Sequence, residues 1–167
     1  YSQIGMHSGV EFPKSILITS TIPEEGKSML ASNMASIFGR HGHKTLLMDL
    51  DLRRPSLHRG FKLSNKRGII NHVRTKEKFL GPITKDPSLG IHELEENVHL
   101  LCSGGNSRDA TEIIVSNEFE CLLESLRAEY SLIILDSPPL GVFPDALLLA
   151  EKASEILYLI RHGKPKR

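Results

Sequence analysis

Gly26, Lys27 and Ser28 stand where an apolar run meets an amphipathic one, in the stretch SILITSTIPEEGKS from Ser15 to Ser28. A glycine, a lysine and a hydroxyl in that order, between a strand and a helix, suit a polyphosphate. The first N–H groups of a helix have no intrahelical partner and carry the positive end of its dipole. An anion settles there, Lys27 reaches its outer phosphates, and the Ser28 hydroxyl is a ligand for Mg²⁺. Asp49 and Asp51 close a second apolar run with one residue between them, and Asp136 closes a third. Residues i and i+2 of a strand share a face, so the first two carboxylates point at one place. Oxygens so placed beside phosphates hold a divalent cation or its water shell. The plain alternatives are a surface turn that contains Gly-Lys-Ser, and an aspartate pair that serves only to bind Arg53 or Arg54.

The loop departs from the usual G-x-x-x-x-G-K-[ST] spacing, because Thr21 stands where the first glycine belongs. It also carries two carboxylates, Glu24 and Glu25, where an anion has to sit. Phosphate contacts are expected along the whole loop: Thr21, Ile22, Pro23, Glu24, Glu25, Gly26, Lys27, Ser28 and, one step into the helix, Met29.

These residues need strands and helices to hold them. Ser15 to Thr19 reads as a strand. Gly26 to Arg40 reads as a helix, with Leu30, Met34, Ile37 and Phe38 spaced as one buried face. Thr45 to Leu50 is a continuous apolar run, the pattern of a parallel strand covered on both sides. Ser56 to Pro87 is mixed, with short helices over Ser56–Arg59 and Gly68–Val73 and a turn at Gly81-Pro82. It is rich in cations (Lys62, Lys66, Arg67, Arg74, Lys76, Lys78, Lys85), which read as a solvated face. Val98–Leu101 and Leu132–Leu135 are strands, Asp109–Val115 and Asn117–Glu129 helices, and the second shows Phe119, Leu122, Leu123 and Leu126 at helical spacing. Asp145–Lys152 is a helix and Glu155–Ile160 a last strand. Strands alternating with helices predict an α/β domain with a mostly parallel sheet flanked by helices on both faces. Ligands of such sheets bind beyond the carboxyl ends of the strands, where Ser20, Asp49 and Asp136 fall.

A chain of 167 residues makes one domain, 1–167, with residues 1–13 as an irregular N-terminal arm. A start at Tyr1 and an end in His-Gly-Lys-Pro-Lys-Arg suggest a piece of something longer. The net charge of +1 argues against a nucleic-acid binder driven by bulk charge. Cys102 and Cys121 are too few for a zinc site or a disulfide framework and read as reduced thiols. His41 and His43, flanking Gly42, read as solvated turn residues. No apolar run reaches the length of a membrane span.

TSTIPEEGKS, LLMDLDLRRP and LIILDSPP, in this order, resemble the Walker A, A′ and B motifs of bacterial tyrosine kinases. These are the autokinases of capsule and exopolysaccharide synthesis, of the Wzc and CapB kind. The resemblance extends over nearly the whole chain and includes Gly68-Ile69-Ile70, the LLCSGG segment and Pro144-Asp145-Ala146. It implies a P-loop fold, ATP or ADP with Mg²⁺ as cofactors, and phosphoryl transfer to a tyrosine. The roles it implies are Lys27 on the β/γ-phosphates, Ser28 on Mg²⁺, Asp136 on the metal's water shell, and Asp49 and Asp51 dividing base and metal duties. Asp49 is then the base and Asp51 joins Ser28 and Asp136 at the metal. It further implies a membrane-bound polysaccharide co-polymerase segment, fused or separate, as partner, neighbouring kinase subunits, and a place at the cytoplasmic face of the bacterial inner or plasma membrane.

Three departures stand out. Glu24 occupies a position that is usually glycine in the family. The N-terminal E-x-x-R-x-x-R motif of subunit assembly has no counterpart, and neither has the C-terminal tyrosine cluster. Tyr130 and Tyr158 read as structural. Two further functions therefore stand beside the autokinase: a catalytically degenerate kinase-like scaffold of a polysaccharide co-polymerase, and a ParA-like ATPase switch. The last is disfavoured by Ile22, which stands where that branch carries its signature lysine.

Overall fold

The computed structural model describes residues 12–75, 82–83 and 86–161. The expected arm up to Glu11, Gly81 of the expected turn, and Lys76, Lys78 and Lys85 lie outside the described residues. The elements run β1 (Ser15–Ser20), α1 (Lys27–Arg40), β2 (Thr45–Asp49), α2 (Leu57–Gly60), α3 (Ile69–Thr75), β3 (Ile91–Glu95), β4 (Val98–Leu101), α4 (Ala110–Val115), α5 (Asn117–Glu129), β5 (Leu132–Asp136), α6 (Asp145–Ala150) and β6 (Glu155–Leu159). They form one six-stranded sheet in the order β3-β4-β2-β5-β1-β6. All pairings are parallel except β3 with β4.

Strands β1, β2 and β5 are buried along their whole length. They sit at the centre with helices on both faces, which is why they read as unbroken apolar runs. On one face, α1 covers Ile18, Leu47, Leu100 and Ile134. On the other, α5 sets Phe119, Leu122, Leu123 and Leu126 against Leu17, Leu46, Met48 and Leu135.

Helix α1 corrects the expected buried face. Its fully buried residues are Lys27, Ala31, Ala35 and Gly39, while Leu30, Met34 and Phe38 pack along the flank and Ile37 is exposed. The reason is close approach. A Cβ at Gly39 would lie 2.2 Å from Val98 Cγ2, so only small residues let this helix lie so near the sheet.

The antiparallel edge strand β3 has no counterpart in the sequence reading. Its side chains are half-buried or exposed, and its pairing with β4 shifts register between Glu93 and Glu95. A charged edge strand with a bulge carries little apolar signal. His43 is not a solvated turn residue: its ring stacks on Phe12 at 4.5 Å, while His41 is exposed. Both cysteines are free, Cys102 buried and Cys121 exposed.

The Pro144-Asp145 step has a physical role. Asp145 is 1% exposed and accepts from Arg53 Nε at 2.6 Å, Arg53 Nη2 at 3.1 Å and Thr111 Oγ1 at 2.7 Å. The Arg53 guanidinium also lies 4.5 Å over the Phe143 ring. This buried pair ties the turn after β2 to α4 and α6. Asp145→Asn keeps the shape and loses the charge assistance, so it is expected to cost about 1.5 kcal/mol of unfolding free energy in denaturant titration. A change below about 0.5 kcal/mol would refute the tie.

Candidate active site

Parallel strands place all their carboxyl ends on one edge. Asp49 and Asp136 are register partners across β2 and β5, and Ser20 ends β1 beside them. The loop after β1 closes this edge. Gly26 caps α1 with φ 93°, no side chain caps the helix, and its first turn holds no acid. The N–H groups at the start of this 14-residue helix are therefore left for a ligand.

The loop is braced from outside. Ser20 Oγ donates to the Ile22 carbonyl at 2.8 Å, and Gly141 N–H donates to the Thr21 carbonyl at 3.0 Å. Glu25 folds back, accepting from Ile22 N–H at 3.0 Å and Arg161 N–H at 3.1 Å. These backbone donors hold its carboxyl below the usual carboxylate range. Thr21 Oγ1 meets the Tyr158 hydroxyl at 2.6 Å, so Tyr158 supports the loop from β6. Glu25 and Thr21 thus brace the loop.

Glu24 is the misfit. It takes φ 63°, the left-handed region that glycine enters freely. Strain there runs to about 1–2 kcal/mol for a residue with a Cβ, against about 0.5–1 kcal/mol of extra chain entropy for glycine. Glu24→Gly is expected to raise stability by about 0.5 kcal/mol and, by removing one charge from the phosphate site, to tighten ADP about fivefold. Calorimetric titration of ADP checks this; equal or weaker binding would show that Glu24 does not oppose the anion.

A cleft of about 420 Å³ lies above the loop. Pro23, Glu24, Gly26, Lys27, Ser28 and Met29 contribute one side of its lining. Thr21, Ile22 and Glu25 are not among its lining residues. Asp51 lines it from the turn after β2, its Oδ1 accepting from Arg54 N–H at 2.9 Å. Asp49 and Asp136 lie beneath, 0% and 1% exposed. Asp49 Oδ2 accepts from Ser56 N–H at 3.1 Å and Leu57 N–H at 3.0 Å. Neither Asp49 nor Asp51 pairs with an arginine side chain among the described residues; Arg53 goes to Asp145 instead.

Burial pushes both buried carboxyls up to about 7. The two N–H donors and the nearby Asp51 charge act on Asp49 in opposite senses. For Asp136 the Ser28 hydroxyl and Lys27 favour the charge, and Asp49 and Asp51 oppose it. Asp49 Oδ1 and Asp136 Oδ1 are buried without any partner. Two buried orphan carboxylate oxygens beside a hydroxyl fit a hard cation that keeps several waters and takes further oxygens from phosphates. No cluster of three or more His, Cys, Asp or Glu suited to a metal occurs among the described residues.

Arg54, Ser56, Arg59, Ser137 and Phe143 also line the cleft and were not anticipated as site residues. Arg54 stands within the D-x-D-x-R-R-P stretch and was legible there. Arg59 carries no local signal, because only the fold of α2 brings it to the cleft.

The family described as the CobQ/CobB/MinD/ParA nucleotide binding domain matches residues 16–156. Tyrosine-protein kinase YwqD of Bacillus subtilis is 32% identical over 154 residues, covering 92% of this chain and 62% of that protein. Tyrosine-protein kinase CpsD of Streptococcus pneumoniae serotype 4 is 32% identical over 155 residues, covering 92% and 65%. The crystal structure of the chimerical protein CapA2B2 matches with a TM-score of 0.78 at 31% identity, over 89% of this chain and 62% of that one. The chain thus spans somewhat under two thirds of the length of these relatives. A nucleotide-ready helix start, a carboxylate-lined parallel edge and these matches agree: the chain belongs to the CobQ/CobB/MinD/ParA nucleotide binding domain family, and the relatives it resembles within that family are bacterial tyrosine-protein kinases.

Proposed function

We propose that this chain is the nucleotide-binding core of a Mg²⁺-ATP-dependent protein-tyrosine kinase that regulates capsule or exopolysaccharide polymerisation and export. One observation carries the reading: the uncapped start of α1, with Lys27 and Ser28 lining the cleft, stands at the strand edge where Asp49 and Asp136 are register partners, two buried carboxylates whose Oδ1 atoms lack hydrogen-bond partners. The α1 N–H groups and Lys27 hold the phosphates. Ser28 and Asp136, with Asp49 beside them, hold the Mg²⁺, which supplies charge neutralisation when bound. The acceptor phenol has a pKa near 10, so a carboxylate has to take its proton as transfer proceeds. Asp51 suits that task better than Asp49, because it lines the cleft while Asp49 is buried against the α2 backbone. In this proposal the two aspartates exchange the duties first expected of them.

The supporting partners are a membrane polysaccharide co-polymerase segment and neighbouring copies of the kinase, at the cytoplasmic face of the membrane. No helix among the described residues is long and apolar enough to cross a membrane. Glu24 at φ 63° favours a second reading, a scaffold that retains the fold and has lost catalysis. Calorimetric titration with ADP, with and without Mg²⁺, followed by phosphotransfer to a tyrosine-rich peptide, separates the two. Mg²⁺-dependent binding with label on tyrosine supports the kinase. Binding without transfer supports the scaffold, and a folded chain that binds nothing refutes the nucleotide site.

A further inference from the structure

The cleft has a second cationic wall. Arg54 and Arg59 line it together with Gly26 and Lys27, but they come from the segment after β2, which lies on the other side of β5 from β1. Among the described residues neither guanidinium has a hydrogen-bond or ion-pair partner, whereas neighbouring Arg53 is fully engaged by Asp145, Thr111 and the Arg108 carbonyl. Glu24 lines the same cleft and pairs with neither.

Their backbone is held by the two site aspartates. Asp51 Oδ1 accepts the Arg54 N–H, and Asp49 Oδ2 accepts the Ser56 and Leu57 N–H groups that open α2, the helix of Arg59. Two unpaired guanidinium groups at the mouth of an anion site invite an oxyanion. Their planar fork matches phosphate with paired N–H bonds, which an ammonium does not. Lys27 reaches the phosphate chain from the loop side only, and the outermost phosphate, whose oxygens carry the charge during transfer, needs donors from the other side.

We propose that Arg54 and Arg59 form a clamp, supplied by this same chain, on the terminal phosphate of the bound nucleotide. The proposal rests on the phosphoryl-transfer reading above. In the transfer the acceptor hydroxyl oxygen bonds to the terminal phosphorus. The bond from that phosphorus to the bridging oxygen breaks, and its electron pair leaves with the nucleoside diphosphate. The hydroxyl proton passes to Asp51. Arg54 and Arg59 donate to the phosphoryl oxygens throughout, and so act on the group that a diphosphate lacks.

The test compares ADP with the non-hydrolysable triphosphate AMP-PNP, each with Mg²⁺, by calorimetry on the full chain and on the Arg54→Ala/Arg59→Ala variant. Both arginines are exposed, so the variant is expected to keep its melting temperature. Its ADP affinity is expected within about twofold of wild type, and its AMP-PNP affinity lower by about tenfold or more. An unchanged AMP-PNP to ADP ratio, or an equal loss for both, overturns the clamp while leaving the nucleotide site in place. A wild-type chain that binds no ADP overturns the nucleotide site, and the clamp falls with it.

Discussion

Without ligand, at about pH 8, the Asp49→Asn chain is expected to be more stable than wild type by on the order of 3 kcal/mol. Near pH 4 the difference is expected to shrink below about 1 kcal/mol. The cause is burial. Asp49 is enclosed beside Asp136, and its folded-state pKa rises from 3.8 to about 7. Between those values the folded chain holds a proton that the unfolded chain has released. Stability contributed by the group is therefore present at low pH and lost as pH rises through about 7. Asparagine stays neutral and still offers an oxygen to the Ser56 and Leu57 N–H groups. Comparison of variant with wild type cancels His58 and His99, whose lowered values slope the other way. Melting curves across this pH range are the measurement, and a variant less stable than wild type at pH 8 would refute the buried-charge account. Mg²⁺ with ADP is expected to narrow the gap, because a cation at the orphan oxygens relieves the cost in wild type alone.

Lys27→Met is expected to weaken ADP by about 100-fold or more while the chain stays folded. Lys27 is 8% exposed at the first position of α1 and lines the cleft. Methionine replaces the stem and removes the charge. Two charge-assisted hydrogen bonds to phosphate, at about 1.5 kcal/mol each, amount to roughly that loss. The fold is expected to survive, because the Lys27 side chain makes no hydrogen bond or ion pair to another described residue and methionine keeps its stem. Titration of wild type and variant at one salt concentration decides it. A loss below about fivefold would place the anion elsewhere than the start of α1.

Much of this molecule was legible in its residues. The central strands announced themselves because a parallel strand covered on both faces must be apolar throughout, as Leu46, Leu47, Ile133 and Ile134 are. The phosphate loop was legible because few other settings require Gly-Lys-Ser between a strand and a helix. Aspartates at strand ends were legible because parallel topology sends those ends to one edge. Three-dimensional packing decided the rest. The buried stripe of α1 is alanine and glycine rather than the larger residues beside it, since the helix's distance from the sheet selects side-chain size. The edge strand β3 escaped notice because its faces stay wet. Arg59 enters the site through the turn that Asp49 caps, a contact between segments with no spacing rule of their own. The carboxylate facing the cleft is Asp51 and the buried one Asp49, although both share a strand-end pattern: the chain leaves the sheet after Asp49, and strand periodicity no longer applies beyond it.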